Sequence, residues 1–529
     1  MFRNFLRRIK KRFQPDKGLV ADTYIVEGES FLTENYKDNL CRMKKVFQDC
    51  SDVIFRELKL NMDKPVAATI IYLDGLVDRV TLNNHILHSI MKIKKENYSD
   101  ELTPIERLKR LKNLDLFVGE VKEERDMYKL INGVLSGEVI LLLEKCDLAL
   151  IINSRGWEAR NVQEPEAESI IRGSREGFVE TLRFNTALIR RRIKDPNLKL
   201  KMVQLGKKTN TDVAIMYIQG IAKDELIEEV EKRLKTVNID GVFESGHLEE
   251  FIEDNIYSPF PQIIITERPD RVAGNLLEGK VAIIVDGTPQ VTIVPGVFIQ
   301  FYQSPEDYYE RAIFGSALRI VRLVSFLTAM TATSLYVALV AFHPYLIPSD
   351  IILSVAKSRV GVPFPTIMEA IFMESIIELI REASIRLPGS IGQIIGIVGA
   401  LVIGQSAVQA KLASPILIII VAISSISAYI VPQFSTSYSI RFMRFPMIFA
   451  AGTFGAFGIA MVWIWLLIHL CTLESFGEPY LAGAAPFRWN DVKDLILRLP
   501  LWMMKTRSST PEPEDVDRMT GQKGDREDE

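Results

Sequence analysis

The chain has 529 residues, enough for several domains, with 48% hydrophobic and 25% charged side chains. A net charge of −3 gives no support for a nucleic-acid binder. Cys41, Cys50, Cys146 and Cys471 have neither CxxC spacing nor the spacing of a disulfide framework, so reduced, buried thiols are expected.

Residues 1–29 form a basic arm that opens MFRNFLRRIKKRFQPDK and lacks the apolar core of a secretory signal. Phe2, Phe5, Leu6, Ile9 and Phe13 can share one helical face ringed by arginine and lysine, which suits an anionic membrane surface. The alternative is a solvated arm.

Residues 30–152 and 205–300 read as two similar α/β (α+β) subdomains of a soluble head. VAATIIYLDGLV at 66–77 and DVAIMYIQGI at 212–221 are each a buried-strand run ending in a tyrosine, followed by a turn at Gly75 or Gly220. GEVILLL at 137–143 with 148–152, and GKVAIIV at 279–285 with 290–294, read as hairpins; Asp286-Gly287 is a strong turn signal. Between the subdomains, 153–204 is read as a linker. Its acidic stretch Glu164-Pro165-Glu166-Ala167-Glu168 precedes a helix over 175–194, which ends in basic residues and stops at Asp195-Pro196-Asn197.

A connector, 301–322, carries Arg311, Arg319 and Arg322; a positive flank predicts a cytoplasmic head. The windows 323–349, 387–410, 412–440 and 445–473 then contain no Asp, Glu, Lys or Arg. Each could cover a hydrocarbon core, which needs about 20 apolar residues as helix. The expected fold is thus a multidomain membrane protein, with the two-subdomain head followed by an all-α transmembrane bundle of 4–5 helices over 323–473.

Ser325, Thr328 and Thr331 recur at i, i+3 in the first window and are candidate pore-lining residues; otherwise their hydroxyls bond back to their own helix or to a neighbour. In 364–386, Glu374, Glu378 and Glu382 share one helical face. An interfacial helix is expected there, with a buried or spanning helix as alternative; a functional reading is an acidic rim at a pore mouth. Gly396, Ala400 and Gly404, and Gly452, Gly455 and Gly458, should smooth helix faces for close packing. The charge rule leaves the count open: four spans put Arg441 and Arg444 outside, and five put Arg498, Lys505 and Arg507 outside. Residues 474–506 are expected to lie near the membrane, and 507–529 to form a disordered tail.

No catalytic constellation emerges. Gly206-Lys207-Lys208-Thr209 lacks the upstream glycine of a phosphate-binding loop, and neither GxSxG nor HExxH occurs. His85 and His88 have no nearby third ligand. No enzyme, metal or cofactor is expected.

Two stretches carry a resemblance. One is SREGFVETLRFNTALIRRRIKDPNL at 174–198. The other spans 257–296, with PFPQ at Pro259, Phe260, Pro261 and Gln262, TERPD at Thr266, Glu267, Arg268, Pro269 and Asp270, then AGNLLEGKVAIIVDGTP and VTIVPG. With the head-then-spans layout, the chain resembles the A subunit of the GerA-type spore germinant receptors of endospore-forming bacteria, over about residues 30–505. It also resembles a stage V sporulation membrane protein within the wider family. The resemblance implies a spore inner membrane location with the head facing the core. It implies a transporter-like B subunit and a lipoprotein C subunit as partners, and a homo-oligomeric ring with a pore that releases monovalent cations.

Within the motif, Pro259 and Pro261 fix extended backbone ahead of a strand at 262–265. Arg268 and Asp270 flank Pro269. They could assemble heads across subunits, or act within the chain to cap a helix over 271–277. Two other functions stay open: a non-conducting scaffold, and a secondary transporter, which should show intramembrane repeats and interrupted helices.

Overall fold

The computed structural model describes residues 31–60, 65–92, 102–115, 118–156, 164, 165, 168, 170–387, 399, 401–488, 491 and 493–518. The basic arm, Gly396 and Ala400 lie outside them. The chain forms two compact units, 1–157 with 194–199, and 158–193 with 200–529.

Each α/β part is built on one five-stranded antiparallel sheet. The strands β1 (Val53–Leu60), β2 (Val66–Leu73), β3 (Val121–Glu124), β4 (Val139–Leu143) and β5 (Ala149–Ile152) lie in the order β1-β2-β4-β5-β3. The strands β6 (Leu198–Leu205), β7 (Thr211–Ile218), β8 (Ile264–Thr266), β9 (Val281–Val285) and β10 (Val291–Val294) lie in the order β6-β7-β9-β10-β8, the same permutation. Both hairpins close in matching register, Val139 opposite Ile152 and Val281 opposite Val294. Their strands are buried on both faces, as near-continuous runs of Val, Ile and Leu require.

The helices repeat too. In the first part α1 (Tyr36–Val46), α2 (Pro104–Arg110) and α3 (Met127–Leu135) flank the sheet; in the second, α4 (Leu182–Arg192), α5 (Asp224–Thr236), α6 (Ser245–Ile252) and α7 (Pro269–Leu277) do so. Asn39 of α1 clasps Thr33, accepting its N–H at 3.0 Å and donating to its carbonyl at 2.6 Å. Asn185 of α4 clasps Val179 identically, at 2.9 and 2.6 Å. A Cβ on Gly137 would press on the Leu76 carbonyl oxygen at 2.8 Å, and one on Gly279 on that of Ile221 at 3.0 Å, and both glycines have positive φ. The helix read as part of the linker is therefore the counterpart of α1, and the second repeat starts well before residue 205.

After the second α/β part, the longer helices among the described residues are α8 (Ala312–Ala341), α9 (Ser349–Arg359), α10 (Thr366–Arg386), α11 (Pro415–Tyr429) and α12 (Phe434–Thr472), with residues 401–409 also helical. By length and composition, α8 and α12 are long and apolar enough to cross a membrane. However, α12 is not one rod. Gly455 has φ 64° and ψ −143°, and a Cβ on Gly458 would overlap the carbonyl of Ala450, two turns away in a straight helix. Ser439, early in α12, and His469, near its end, bond to the adjacent residues Pro259 and Ser258. The chain reverses at Gly455, giving a leg 434–454 that leaves the head and a leg 456–472 that returns.

Contacts fix the other directions. Arg444 reaches the Ala329 carbonyl and Ala456 N–H reaches His343, so the outgoing leg runs parallel to α8. Helix α10 runs the opposite way: Ile367 meets Gly452, Glu374 meets Arg444, and Glu378 meets Arg441. Helix α11 also returns, from Ser414 beside Tyr336 to Ser424 beside Ala329.

Three expectations are corrected. The window 412–440 holds α11, a turn at 430–433 and the start of α12, and the window 445–473 straddles the reversal, so neither is a single span. Residues 364–386 do not lie apart as an interfacial helix; α10 packs inside the bundle, with Ala370 and Met373 in its core beside Val337 and Leu417. Residues 507–518 are not a disordered tail. Arg507 donates to the Leu277 carbonyl at the end of α7 (2.8 Å), and Arg518 pairs with Glu278 (3.1 Å). Cationic side chains there satisfy a helix C-terminus. Of the cysteines, Cys50 and Cys146 are buried, but Cys41 and Cys471 are exposed.

Candidate functional site along the seam between head and bundle

The motif at 259–270 is where the second α/β part meets the bundle. Proline has no N–H, so Pro259 and Pro261 present carbonyls from a fixed extended backbone. The Pro259 carbonyl accepts from Ser439, and that of Pro261 accepts from the Tyr480 hydroxyl at 2.8 Å. Gln262 is buried, its amide donating to the Asn255 carbonyl (2.7 Å) and its backbone carbonyl accepting from Ser475 (2.7 Å).

Arg268 and Asp270 act within the chain. Arg268 is the N-cap of α7, Pro269 is its first residue, and the Arg268 guanidinium pairs with Asp270 at 2.8 Å. The same guanidinium donates to the carbonyls of Ser174 (2.8 Å) and Glu168 (3.2 Å). Glu267 contributes its backbone carbonyl, which accepts from Phe178 N–H at 2.8 Å. Asp270 also accepts from the Tyr309 hydroxyl at 2.6 Å; burial and this carboxylate push the phenol pKa upward.

The next residue makes the link. Arg271 pairs with Glu168 and donates to Gln433 Oε1 at 3.1 Å, while Gln433 Nε2 donates to the Ile265 carbonyl at 2.9 Å. Gln433 sits in the turn between α11 and α12, so one buried amide ties β8 and α7 to the bundle. Beside it Lys280 is fully buried and donates to Gln300; burial, with Arg271 nearby, pushes its pKa down to about 7.

At the base of α8, two of the arginines read as a positive flank, Arg319 and Arg322, are paired. Buried Asp307 accepts from Arg319 (3.2 Å) and Arg322 (2.7 Å), and Arg319 also meets Asp494 at 2.9 Å. The helix is thus clamped to the connector before it and to the segment after α12.

Inside the bundle, the acidic face of α10 is met one residue at a time. Glu369 accepts from Arg359 at 3.0 Å and from the Ser414 N–H at 3.1 Å. Glu374 and Arg444 pair at 2.6 Å, each only 1% exposed. Thr333 donates to the other Glu374 oxygen at 2.8 Å, and Arg444 also reaches the Ala329 carbonyl at 3.0 Å. Glu378 meets Arg441 at 3.0 Å, and Glu382 meets Arg386 at 2.6 Å. Acids at i, i+4 on α10 face arginines at i, i+3 on the antiparallel leg, so the pairs form in sequence. The three glutamates do not line one rim: Glu374 is inside, Glu378 is 28% exposed and Glu382 57%.

Ser325 is buried, whereas Thr328 and Thr331 are partly exposed and donate back to the carbonyls of Val324 (2.8 Å) and Leu327. Gly404 makes ordinary contact with Ile418, and Gly452 lies tightly against Ile367. Gly455 and Gly458 build the reversal instead of smoothing a continuous helix.

The sequence reading gave no site role to Arg444, Arg441, Arg271 or Glu168, which it met only as flanking, linker or helix residues, and did not single out Gln433, Glu369 or Asp307. A signal existed for the first two. Arginines inside an apolar run are costly, and four-spaced glutamates elsewhere in the same apolar region are their natural partners.

The match to known proteins is extensive. The family model described as Bacillus/Clostridium GerA spore germination protein matches residues 41–510. Spore germination protein KA of Bacillus subtilis is 41% identical, over 90% of this chain and 87% of its own length. Spore germination protein B1 of the same organism is 39% identical, over 92% of this chain and 99% of its own length. YfkQ of Bacillus subtilis, described as an uncharacterized membrane protein, is 41% identical over 93% of both chains. Among solved structures, the N-terminal domain of the A subunit of the Bacillus megaterium spore germinant receptor GerK3 is 35% identical, with a TM-score of 0.40, covering 51% of this chain and 98% of that one. The family match over residues 41–510 and the identity to proteins KA and B1 make the chain a member of the GerA spore germination family.

Proposed function

We propose that the chain is the A subunit of a nutrient-gated germinant receptor that starts spore germination, and that it oligomerises into a cation-conducting path across the spore inner membrane. The observation that carries this reading is the Glu374–Arg444 pair, each side chain 1% exposed inside the helical bundle. An ion pair in such a place costs desolvation and is weak support for stability, so function is the better account of its presence.

Nutrient binds a partner, a transporter-like B subunit; a lipoprotein C subunit completes the assembly. The partner biases two packings of the bundle by its differential affinity for them. In the conformation described, the α10 acids are engaged by the outgoing leg of α12. In the second packing that leg withdraws, Glu374 and Glu378 become free to attract cations beside Glu382, which pairs within its own helix, and ions pass along the face of α8 that bears Ser325, Thr328 and Thr331. The head faces the spore core and transmits load through Pro259, Pro261, Gln262, Glu267, Arg268, Pro269 and Asp270 to Gln433 and Ser439.

The test is potassium efflux from spores carrying Gln at 374, 378 and 382, with chain and partner levels checked by immunoblot. Reduced efflux at normal levels is expected. Unchanged efflux at normal levels would remove the acids from the ion path and favour a non-conducting scaffold. In a parallel arm, Thr328→Leu should leak or block.

A further inference from the structure

We infer that residues 496–505 form a foot that lies in the plane of the membrane, in the headgroup layer of the leaflet nearest the head. This rests on the reading of α8 as a membrane-crossing helix. The segment follows the last leg of the bundle and belongs to the same compact unit as α8. It turns its polar groups inward. Arg498 is buried and donates to the carbonyls of Tyr308 and Glu310, both at 3.1 Å, and its own N–H donates to Ser316 at 3.0 Å. Those bonds fasten the segment beside the first turns of α8.

What remains outside is apolar. Ile496, Leu497, Leu501 and Trp502 are exposed, Trp502 by 69%. The adjoining turns of α8 do the same with Ile313, 81% exposed, and Phe314. This surface does not end there. It continues along α8 through the exposed Leu318 and Val321 to Val324, which is exposed on the stretch that would cross the hydrocarbon. An apolar surface continuous with a lipid-facing stripe has lipid as its natural occupant.

Length places the foot at the right depth. The 30 residues of α8 run about 45 Å at about 1.5 Å per residue, against a hydrocarbon thickness of about 30 Å. About 15 Å is left over, and the ten residues from Ala312 to Val321 fill it on the head side. Tryptophan favours that layer because its body is apolar and its N–H wet. The exposed cations Lys505 and Arg311 flank the patch, where they would meet phosphate headgroups. The foot thus sets the height of the clamp made by Asp307, Arg319 and Arg322 relative to the bilayer.

The test uses the full chain in nanodiscs of phosphatidylglycerol and phosphatidylcholine. The emission of Trp502 is obtained as the difference between this chain and its Trp502→Phe variant. Lipids brominated high on the acyl chain, or near its end, act as quenchers at two depths. The expected result is stronger loss of the Trp502 emission with shallow bromine than with deep bromine. No loss with either, or a blue-shifted emission that neither quenches, would put Trp502 in water or against a second protein and overturn the proposal. Both chains carry Trp157→Phe and Trp489→Phe, so the emission left in Trp502→Phe reports the bundle separately through Trp463 and Trp465. If deep bromine quenched it while Trp502 stayed untouched, the foot alone would fall. If nothing were quenched, the membrane-crossing reading would fall and take the foot with it.

Discussion

The carbonyl of Ala450 occupies the space where a Cβ of Gly458 would sit. Two turns of continuous helix would hold these groups about 12 Å apart. Their contact makes α12 a hairpin, and the charge pattern then becomes consistent. Arg441 and Arg444 lie in the half of the outgoing leg nearer the head, and Arg498, Lys505 and Arg507 follow a leg that has returned to it. No arrangement of four or five simple spans can bring both groups to one end.

The reversal predicts a steep order among glycine substitutions. Gly455→Ala forces a side chain into a backbone region that essentially only glycine adopts, a cost of roughly 1–3 kcal/mol. Gly458→Ala adds overlap with a carbonyl and should cost more, whereas Gly404→Ala meets only Ile418 at 3.9 Å and should be near neutral. Thermal midpoints in detergent and membrane levels would measure this. A Gly458→Ala chain as stable as the parent would refute the hairpin.

Breaking the buried pair should hurt more than removing it. Arg444→Ala leaves Glu374 charged and unpartnered by arginine, a loss of about 3–5 kcal/mol. The double replacement Glu374→Leu with Arg444→Met should recover most of that stability while leaving potassium efflux defective. Recovery of both would assign the pair a purely structural role.

Gln433→Ala should uncouple head from bundle. It strands a buried guanidinium N–H of Arg271 and the Ile265 carbonyl, about 1–3 kcal/mol together. The expected signature is a higher nutrient concentration for half-maximal efflux at normal chain levels. An unaltered dose response would show that load passes elsewhere.

Lys280 should give the second α/β part an alkaline-rising stability. Its folded pKa of about 7 lies below the unfolded lysine value of about 10.4. Between those values the unfolded chain holds more protons, so stability rises with pH from about 7 to about 10, and the penalty is complete below 7. Thermal midpoints of Lys280→Met should lose that slope; parallel curves for the two chains would contradict it.

Glu249 should act in the opposite sense at lower pH. Burial, then the charges of Glu253 and Glu244, raise its carboxyl to about 7. The folded chain therefore holds more protons between about 4.5 and 7, and stability falls as pH rises across that window. Glu249→Gln should flatten this limb and leave the alkaline limb in place. An unchanged acid limb would mean the carboxyl is ionised throughout.

The head was more legible than the bundle for a physical reason. Strand runs and Asp-Gly turns report local geometry, so the hairpins at 139–152 and 281–294 could be read directly. The clasp of Asn185 on Val179 could not, because it is visible only against its twin at Asn39, and the helix bearing it was taken for linker. In the bundle, hydropathy marks what is apolar but not where the chain turns. Gly455 and Gly458 read as packing residues because a window of uncharged residues looks the same straight or folded. Glu374 was placed at a rim because its partner Arg444 is 70 positions away, and spacing along one helix says nothing of the charge facing it.

The reversal at Gly455 also limits what the described part of the bundle presents on the side away from the second α/β part. Among the described residues, that far end consists of the segment between α8 and α10, the turn from Ala410 to Ser414, and the hairpin tip itself. A nutrient arriving from that side would find one short helix and two tight bends. A folded recognition domain is what such a signal needs, and the second α/β part lies at the opposite end of the bundle.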